Sequence, residues 1–373
     1  MQRIIILLQS GLGDLIMALP LLKYYKQNLQ EQDILLILTE SARTEAIIER
    51  AIIMDERIKI NCINEIWSGS KLGLLKLGIH LRLFRPTLFL APHSTNRLGT
   101  TIFSMIVGAT TSVLPHSKIN SLLFHTVANR FKEHKVSYYL RFGMLGDLNK
   151  DIDLSIAFDI PNHYLKEAKS LFNCWDPNQK WIGFAPGSGI IEAYKRWPIP
   201  SYISLGKMLL DKGPEYRIAI FGSPAESYLV NKIKEGLHNS SSRIVTIVNP
   251  NIIIAASAMK YCACVVSACS GLAHLAASVG TPIVGFYGPT NPGFTGPFSN
   301  KLRIVRIGLK CSPCYRLDFS MGCGNPICMS MIEPHVVEKE VMNALKGEFN
   351  TDISWYPTTN AVKPDALINI TKG

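Results

Sequence analysis

Asp14 sits in an unexpected place. It lies in the stretch SGLGDLIMALP, Ser10 to Pro20, directly after the apolar run Ile4–Leu8. A strand that runs into a glycine turn and then a helix commonly cradles phosphate. A carboxylate in that turn repels phosphate. Two roles suit an acid here. It caps the helix amides and complements the dipole, or it is a general base facing a reacting hydroxyl. Gly11 and Gly13 open a Gly-x-Gly-x-x-Gly pattern, but its last position is Ile16, and Glu40 follows the second apolar run roughly where a ribose-binding acid would sit. An NAD-dependent oxidoreductase is therefore a distant alternative, and it leaves the later loops unexplained.

Two of those loops carry anion-binding chemistry. PGSGIIEAYKRWP, 186–198, pairs a Gly-Ser turn with Lys195 and Arg196. Turn amides, including that of Ser188, and a lysine ammonium can hold phosphate oxygens. A polar surface loop with two solvated cations is the plain alternative. SACSGLAHLAASVGTPIVGFYGPTNPGFTGP, 267–297, places Ser270 and Gly271 at the start of a helix, with His274 one turn on. Free amides there favour an anion; taken alone, His274 reads equally as a core histidine. A third constellation is Cys311, Cys314, Cys323 and Cys328, spaced Cys-x2-Cys-x8-Cys-x4-Cys. Four thiolates could hold a structural Zn or Fe, and would leave no open position for catalysis. Reduced thiols or one disulfide pair are the plain alternative. Cys62, Cys174, Cys262 and Cys264 read as ordinary buried small residues.

The elements that must position these groups follow from the hydrophobic pattern. RIIILL (3–8), DILLILT (33–39) and TLFLAP (87–92) read as strands alternating with helical spacing such as Leu15, Ile16, Leu19 and Leu22. The pattern restarts at KWIGFAPGSG (180–189) and continues through RIAIFGS, RIVTIV, CACVVS and PIVGFYG. Ser201 could cap the helix carrying Ile203, Leu205, Met208 and Leu209, which Gly213 stops. Strand–helix alternation in both halves predicts two doubly wound parallel sheets. The expected domains are 1–155, a linker over 156–179, a second domain over 180–346 that includes the cysteine cluster, and a C-terminal extension over 347–373.

Charge separates the halves. The net charge is +11, and between Glu65 and Asp147 the only acid is Glu133, against ten Lys or Arg and five of the nine histidines. Such a field attracts an anion, whether substrate, lipid surface or nucleic acid; a solvated basic face is the plain alternative. Recognisable nucleic-acid modules are absent, so a nucleic-acid partner is not expected. Ile4–Leu8 is too short for a secretory signal, no stretch reads as a membrane span, and the nine cysteines suit a reducing cytoplasm.

Three separated pieces resemble the bacterial lipopolysaccharide heptosyltransferases, glycosyltransferase family 9. GLGDLIMALP is similar to the family's Gly-Asp motif with a proline six residues on. PGSGIIEAYKRWP is similar to its Lys-Arg-Trp-Pro loop, and SGLAHLAASVGTPIVGFYGPTNPGFTGP to its Ser-Gly-x-x-His motif and Gly-Pro-(Ser/Thr) loop. The last piece is nearest the heptosyltransferase II type. The resemblance implies an α/β GT-B fold, two Rossmann-like domains facing an interdomain cleft. It implies an ADP-activated heptose donor on the second domain and an anionic lipid-linked acceptor, a Kdo-containing lipid A core, on the first. It also implies a cytoplasmic enzyme in transient contact with the inner membrane, and inverting chemistry that requires no cofactor.

On this reading Asp14 is the general base and Lys195 steadies the departing ADP. Donor contacts fall to Ser188, Lys195, Arg196, Glu226, Cys269, Ser270, Gly271 and His274. Acceptor contacts fall to Ser10, Gly11, Gly13, Arg97 and Lys118. Some family members carry similar cysteines. Cys269 departs from the family, which usually has an acid directly before Ser-Gly-x-x-His. A thiol cannot replace a carboxylate as acceptor for sugar hydroxyls, so a different nucleotide sugar, or a noncatalytic sugar-nucleotide binder, is the alternative.

Overall fold

Apolar runs buried on both faces become parallel strands, because only helices on each side can cover them. The computed structural model describes residues 1–8, 11–39, 41–52, 56–62, 71–93, 97–128, 133–144, 153–172, 175–189, 191–249, 251–315, 324–349 and 367–368. The chain divides into two compact units, Met1–Phe158 and Asp159–Gly373.

The first unit runs β1 (Arg3–Leu8), α1 (Leu12–Asn28), β2 (Ile34–Thr39), α2 (Ala42–Ala51), β3 (Ile58–Cys62), α3 (Lys71–Leu83), β4 (Leu88–Leu90), α4 (Arg97–Val107), β5 (Thr111–Pro115), α5 (Asn120–Leu123), β6 (His125–Val127) and α6 (Lys135–Gly143). Its sheet has the order β3-β2-β1-β4-β5-β6, with every pairing parallel. Five of the six β1 residues are buried. One face of the sheet packs Ile5, Leu7, Leu36, Leu38 and Phe89 against Leu77 and Leu81 of α3 and Phe103 of α4.

The second unit runs α7 (Asn162–Ser170), β7 (Lys180–Ala185), α8 (Ile199–Asp211), β8 (Tyr216–Gly222), α9 (Ser227–Gly236), β9 (Ile244–Val248), α10 (Ile252–Met259), β10 (Cys264–Ala268), α11 (Gly271–Ser278), β11 (Ile283–Phe286), α12 (Pro292–Thr295), β12 (Leu302–Val305), α13 (Ile327–Ser330), α14 (Pro334–Leu345) and β13 (Leu367–Ile368). From the other edge its sheet reads β9-β8-β7-β10-β11-β12-β13, again all parallel. The first six strands thus repeat the 3-2-1-4-5-6 order of the first unit, the order of dinucleotide-binding folds. Trp197 anchors this core: its ring packs on Tyr202 and Phe286, and Nε1 donates to the Ile332 carbonyl at 3.0 Å.

Three local expectations differ. The helix assigned to a Ser201 cap starts three residues earlier, with Pro198 as its N-cap residue and a proline in its first turn. A first-turn proline loses only an amide that the helix leaves unpaired anyway. Residues 162–170, expected within a linker, form α7, which packs on α10 inside the second unit. Of the expected extension, 350–366 and 369–373 lie outside the described residues, while Leu367 and Ile368 pair with Ile304 and Val305. No helix among the described residues is long and apolar enough to cross a membrane.

Candidate active site

In a 3-2-1-4-5-6 sheet the crossovers diverge between the first and fourth strands, and the crevice opens at their carboxyl ends. In the first unit this point lies between the ends of β1 and β4, where Asp14 and His93 stand. Asp14 occupies the first turn of α1, and Gly11 is the N-cap residue, with no side-chain cap bond at this helix start. Asp14 accepts no helix amide among the described residues, while its charge stands in the first turn, where it complements the dipole. Its Oδ1 instead accepts from Lys135 Nζ and, at 3.1 Å, from Tyr139 Oη. His93 Nε2 lies 3.9 Å from Oδ2.

Local sequence explains why two residues more than 120 positions away reach Asp14. Lys135 and Tyr139 are one turn apart and share a face of α6. His134 caps that helix, its Nδ1 accepting from the Val136 amide at 3.2 Å. Glu133, the single acid of the basic interval, is held by Arg141 Nε and Nη2 at 2.8 and 2.6 Å. At the far end, α6 lies so close to α1 that a Cβ on Gly143 would fall 2.1 Å from Leu21 Cδ1. Tyr25 Oη donates to the Gly143 carbonyl at 2.7 Å. Gly143 thus permits the approach that sets Lys135 and Tyr139 on the carboxylate.

The electrostatics follow from this geometry. Burial pushes the Asp14 carboxyl up, but the charge of Lys135, that of His93 once acid protonates it, and the bonds from Lys135 and Tyr139 outweigh it. The group is held well below the usual carboxylate range. Burial pushes His93 down to about 4, against the pull of Asp14, so its ring is neutral at neutral pH. The Tyr139 phenol is driven up by burial and by the adjacent carboxylate, so it remains a donor. The site thus holds an ionised carboxylate whose Oδ1 accepts two bonds and whose Oδ2, among the described residues, faces a neutral imidazole.

The expected acceptor residues are described only in part. Ser10 lies outside the described residues, as does the Arg97 side chain at the start of α4. Gly11 and Gly13 lie in the turn and first helical residues beside Asp14, and Gly11 is exposed with open space around it. Lys118 is exposed after β5, on the same sheet edge as the ends of β1 and β4.

In the second unit the loops after β7, β8, β10 and β11 share one edge. The 186–189 turn is a nest of amides, and the chain's own carboxylate fills it. Glu226 Oε1 accepts from Ser188 N at 3.1 Å, Gly189 N at 2.9 Å and Arg196 Nη2 at 2.9 Å, while Oε2 accepts from Ser223 Oγ at 3.1 Å. A Cβ on Gly187 would meet Glu226 Oε2 at 2.5 Å, so a side chain there would displace the carboxylate. These amides and Arg196 hold the loop together rather than presenting a cradle for phosphate. Arg196 also donates to the Gly189 carbonyl at 2.9 Å and to Tyr228 Oη at 2.5 Å.

Lys195, in contrast, ends a short 3-10 turn with its ammonium paired to Glu192 and 4.2 Å from the Tyr315 ring centroid. Ser270 caps α11, its Oγ accepting from Ala273 N at 3.4 Å and lying 3.0 Å from Ser267 Oγ. Gly271 opens that helix, Cys269 is buried at the end of β10, and His274 is buried one turn into α11. Past β11, Thr290 is buried, and its hydroxyl has no hydrogen-bond partner among the described residues. Such a group costs about 1–3 kcal/mol unless a ligand satisfies it.

The expected Zn or Fe site does not form among the described residues, where no three His, Cys, Asp or Glu converge. Cys311 is exposed and Cys314 partly so, whereas Cys328 is buried in the core. A Cβ on Gly288 would approach the Cys328 thiol at 2.5 Å, so that sulfur packs as a small apolar group. Cys323 and Cys174 lie outside the described residues, and Cys62, Cys262 and Cys264 are buried.

Comparison with known proteins adds a separate line. A family model described as glycosyltransferase family 9 (heptosyltransferase) matches residues 126–323, more than half of the chain. Lipopolysaccharide heptosyltransferase 2 of Escherichia coli is 32% identical over 157 residues, 39% of this chain and 43% of that protein. Lipooligosaccharide heptosyltransferase 2 of Haemophilus influenzae is 36% identical over 128 residues, 34% of this chain and 36% of that protein. The chain spans less than half the length of these curated relatives in the matched segments. The structure of E. coli ADP-heptose lps heptosyltransferase II superposes with a TM-score of 0.72 at 22% identity, covering 93% of this chain and 99% of that one. A glycosyl transferase family 9 structure from Veillonella parvula gives 0.73 at 19% identity, covering 93% and 98%.

Proposed function

The chain belongs to glycosyltransferase family 9 and has the GT-B fold, and from that premise we propose that it transfers heptose from ADP-heptose to the Kdo/heptose inner core of lipopolysaccharide, with inversion, using Asp14 as general base. The observation that carries the reading is the partly buried, ionised Asp14 at the β1–β4 switch point, with Oδ1 held by Lys135 and Tyr139 and Oδ2 turned to a neutral His93.

In this mechanism the acceptor hydroxyl donates to Asp14 Oδ2, since Oδ1 is taken by Lys135 and Tyr139. His93 flanks the same oxygen and orients the hydroxyl. The acceptor oxygen attacks the anomeric carbon from the face opposite the diphosphate. As that bond forms, the hydroxyl becomes acidic and its proton passes to Oδ2. A carboxylate kept weakly basic by Lys135 suits such late transfer. The bond from the anomeric carbon to the diphosphate oxygen breaks, and ADP departs with the electron pair. Lys195 and the amides at Ser270–Gly271 meet the charge that develops on it, and the Thr290 hydroxyl gains its missing partner there. Glu226 holds the 186–198 loop in place and can reach the nucleotide ribose. These groups supply the charge stabilisation without a cofactor. The first unit takes the anionic lipid-linked acceptor and the second the ADP-sugar, at the cytoplasmic face of the inner membrane.

One observation favours a second reading of the donor alone. Cys269 occupies the place of the family acid and is buried, so a different nucleotide sugar is the alternative. The test is product formation from ADP-heptose and a Kdo-containing lipid A acceptor, with and without one heptose attached, read by mass spectrometry. Wild type should add one heptose, and Asp14→Ala should lose about 100- to 10,000-fold in rate. No transfer by folded wild-type protein sinks the heptose assignment and directs a panel of other nucleotide sugars.

A further inference from the structure

A surface helix normally keeps its apolar residues on the core side. Helix α3 does not. Leu77 and Leu81 face the core, yet Leu72, Leu75, Ile79 and Leu83 on the same helix are exposed, Leu83 by 74%. Helix α4 repeats the pattern, with Phe103 and Val107 buried and Leu98, Ile102 and Met105 exposed. Of the fifteen exposed large apolar side chains among the described residues, ten fall between Leu72 and Leu123, so the exposure is concentrated rather than scattered.

The helices that carry them are contiguous. Gly78 of α3 lies against α4 so closely that a Cβ there would meet Ile106 Cγ2 at 2.6 Å. Thr101 of α4 donates to Asn120 of α5 at 2.6 Å, and α5 adds Leu122, 84% exposed. Exposed cations, Lys76, His80 and Arg82, interleave with the leucines of α3. The sequence from 66 to 132 contains no acid at all.

We propose that the outward face of α3, α4 and α5 docks on an anionic lipid bilayer, with the leucines entering the headgroup boundary and the cations meeting lipid phosphates. Interleaved apolar and cationic side chains on amphipathic helices are what such a surface binds. A second copy of this chain is a poorer occupant, because an acid-free face would meet its own positive charge. The face extends the lipid-linked acceptor reading, but its binding needs no catalysis.

Full-length protein is floated with vesicles of phosphatidylcholine alone and with vesicles one-third phosphatidylglycerol. Wild type should bind the anionic vesicles, less so as salt rises. The double variants Ile79→Ser/Leu83→Ser and Lys76→Glu/Arg82→Glu should each cut the bound fraction about tenfold, with unchanged circular dichroism and melting. Both variants should keep full transfer to a delipidated, water-soluble acceptor. Wild type that stays unbound, or folded variants that bind as well as wild type, overturns the proposal. So does a wild-type dimer that Ile79→Ser/Leu83→Ser makes monomeric while vesicle binding is unaltered. Vesicle binding without transfer sinks the transferase reading alone, and transfer without vesicle binding sinks the docking face alone.

Discussion

Replacing Lys135 with methionine removes one charge and leaves the rest of the Asp14 site in place. The ammonium is paired to Oδ1, and both side chains are mostly shielded, at 11% and 23% exposure. At about 3 Å and an effective dielectric of about 20, the lost attraction is about 5 kcal/mol, or about 4 pKa units. Burial, the largest single influence on this carboxyl, then acts with weaker opposition and pushes it upward. Asp14 accepts a proton only when ionised. In wild type it is ionised throughout the usable range, so it sets no acid limb above about pH 4. In Lys135→Met an acid limb in kcat/KM should appear between about pH 5 and 7, while the rate at pH 8 falls far less than in Asp14→Ala. Lys135→Arg keeps the charge and should keep the flat profile.

Stability gives the same sign through a different readout. In wild type the depressed carboxyl stabilises the fold above its unfolded pKa and loses that contribution as pH falls through the folded value. In Lys135→Met the folded pKa is raised. The unpaired carboxylate then costs stability at high pH, which returns as pH falls through the folded value toward the unfolded one. Melting temperature should therefore rise in the variant from pH 8 to pH 5 and stay level in wild type. Identical pH–rate and pH–melting curves for the two proteins would refute the account of Asp14 given above.

Two other substitutions probe the scaffold behind the chemistry. Gly143→Ala places a methyl where Leu21 already lies, so α6 must part from α1; the expected cost is about 1–3 kcal/mol in a denaturant melt, with a fall in kcat as Lys135 and Tyr139 leave the carboxylate. Glu226→Gln loses the charge on Arg196 and turns an amide NH2 toward groups that themselves donate; the expected outcome is about 2–4 kcal/mol of destabilisation and a raised KM for the donor, measured by chemical denaturation and initial rates.

The strand-turn-helix at Ser10–Pro20, the two doubly wound sheets and the order of the later loops were all legible in the sequence, because buried parallel strands and helix spacing leave local signatures. The partners of Asp14 were not. Lys135 and Tyr139 lie 121 and 125 positions away, and the small residue that lets them arrive, Gly143, has no local signature of its own. Their one-turn spacing on a helix within the basic interval was the available hint. That the 186–189 amides, read as phosphate donors, bond to Glu226 was hidden for a similar reason. Glu226 arrives from the end of the next strand, and its carboxylate takes the same donors a phosphate would. The four cysteines were read by spacing alone, which says nothing of which way each sulfur points. Cys328 is buried against Gly288, whereas Cys311 is exposed.

The carboxylate in the 186–189 nest also bears on how a donor is received. Loops that bind phosphate with empty amides tend to settle only when the ligand comes, and ordering costs about 1–2 kcal/mol per residue. Here that ordering is charged to folding. Ser188, Gly189 and Arg196 are already fastened to Glu226, and Trp197 is locked beneath them. Lys195 therefore stands on a stiff mount before any nucleotide arrives. For the ADP-sugar proposed above, affinity would then not be diminished by loop closure, and selectivity would rest on the shape of a preset rim rather than on induced fit.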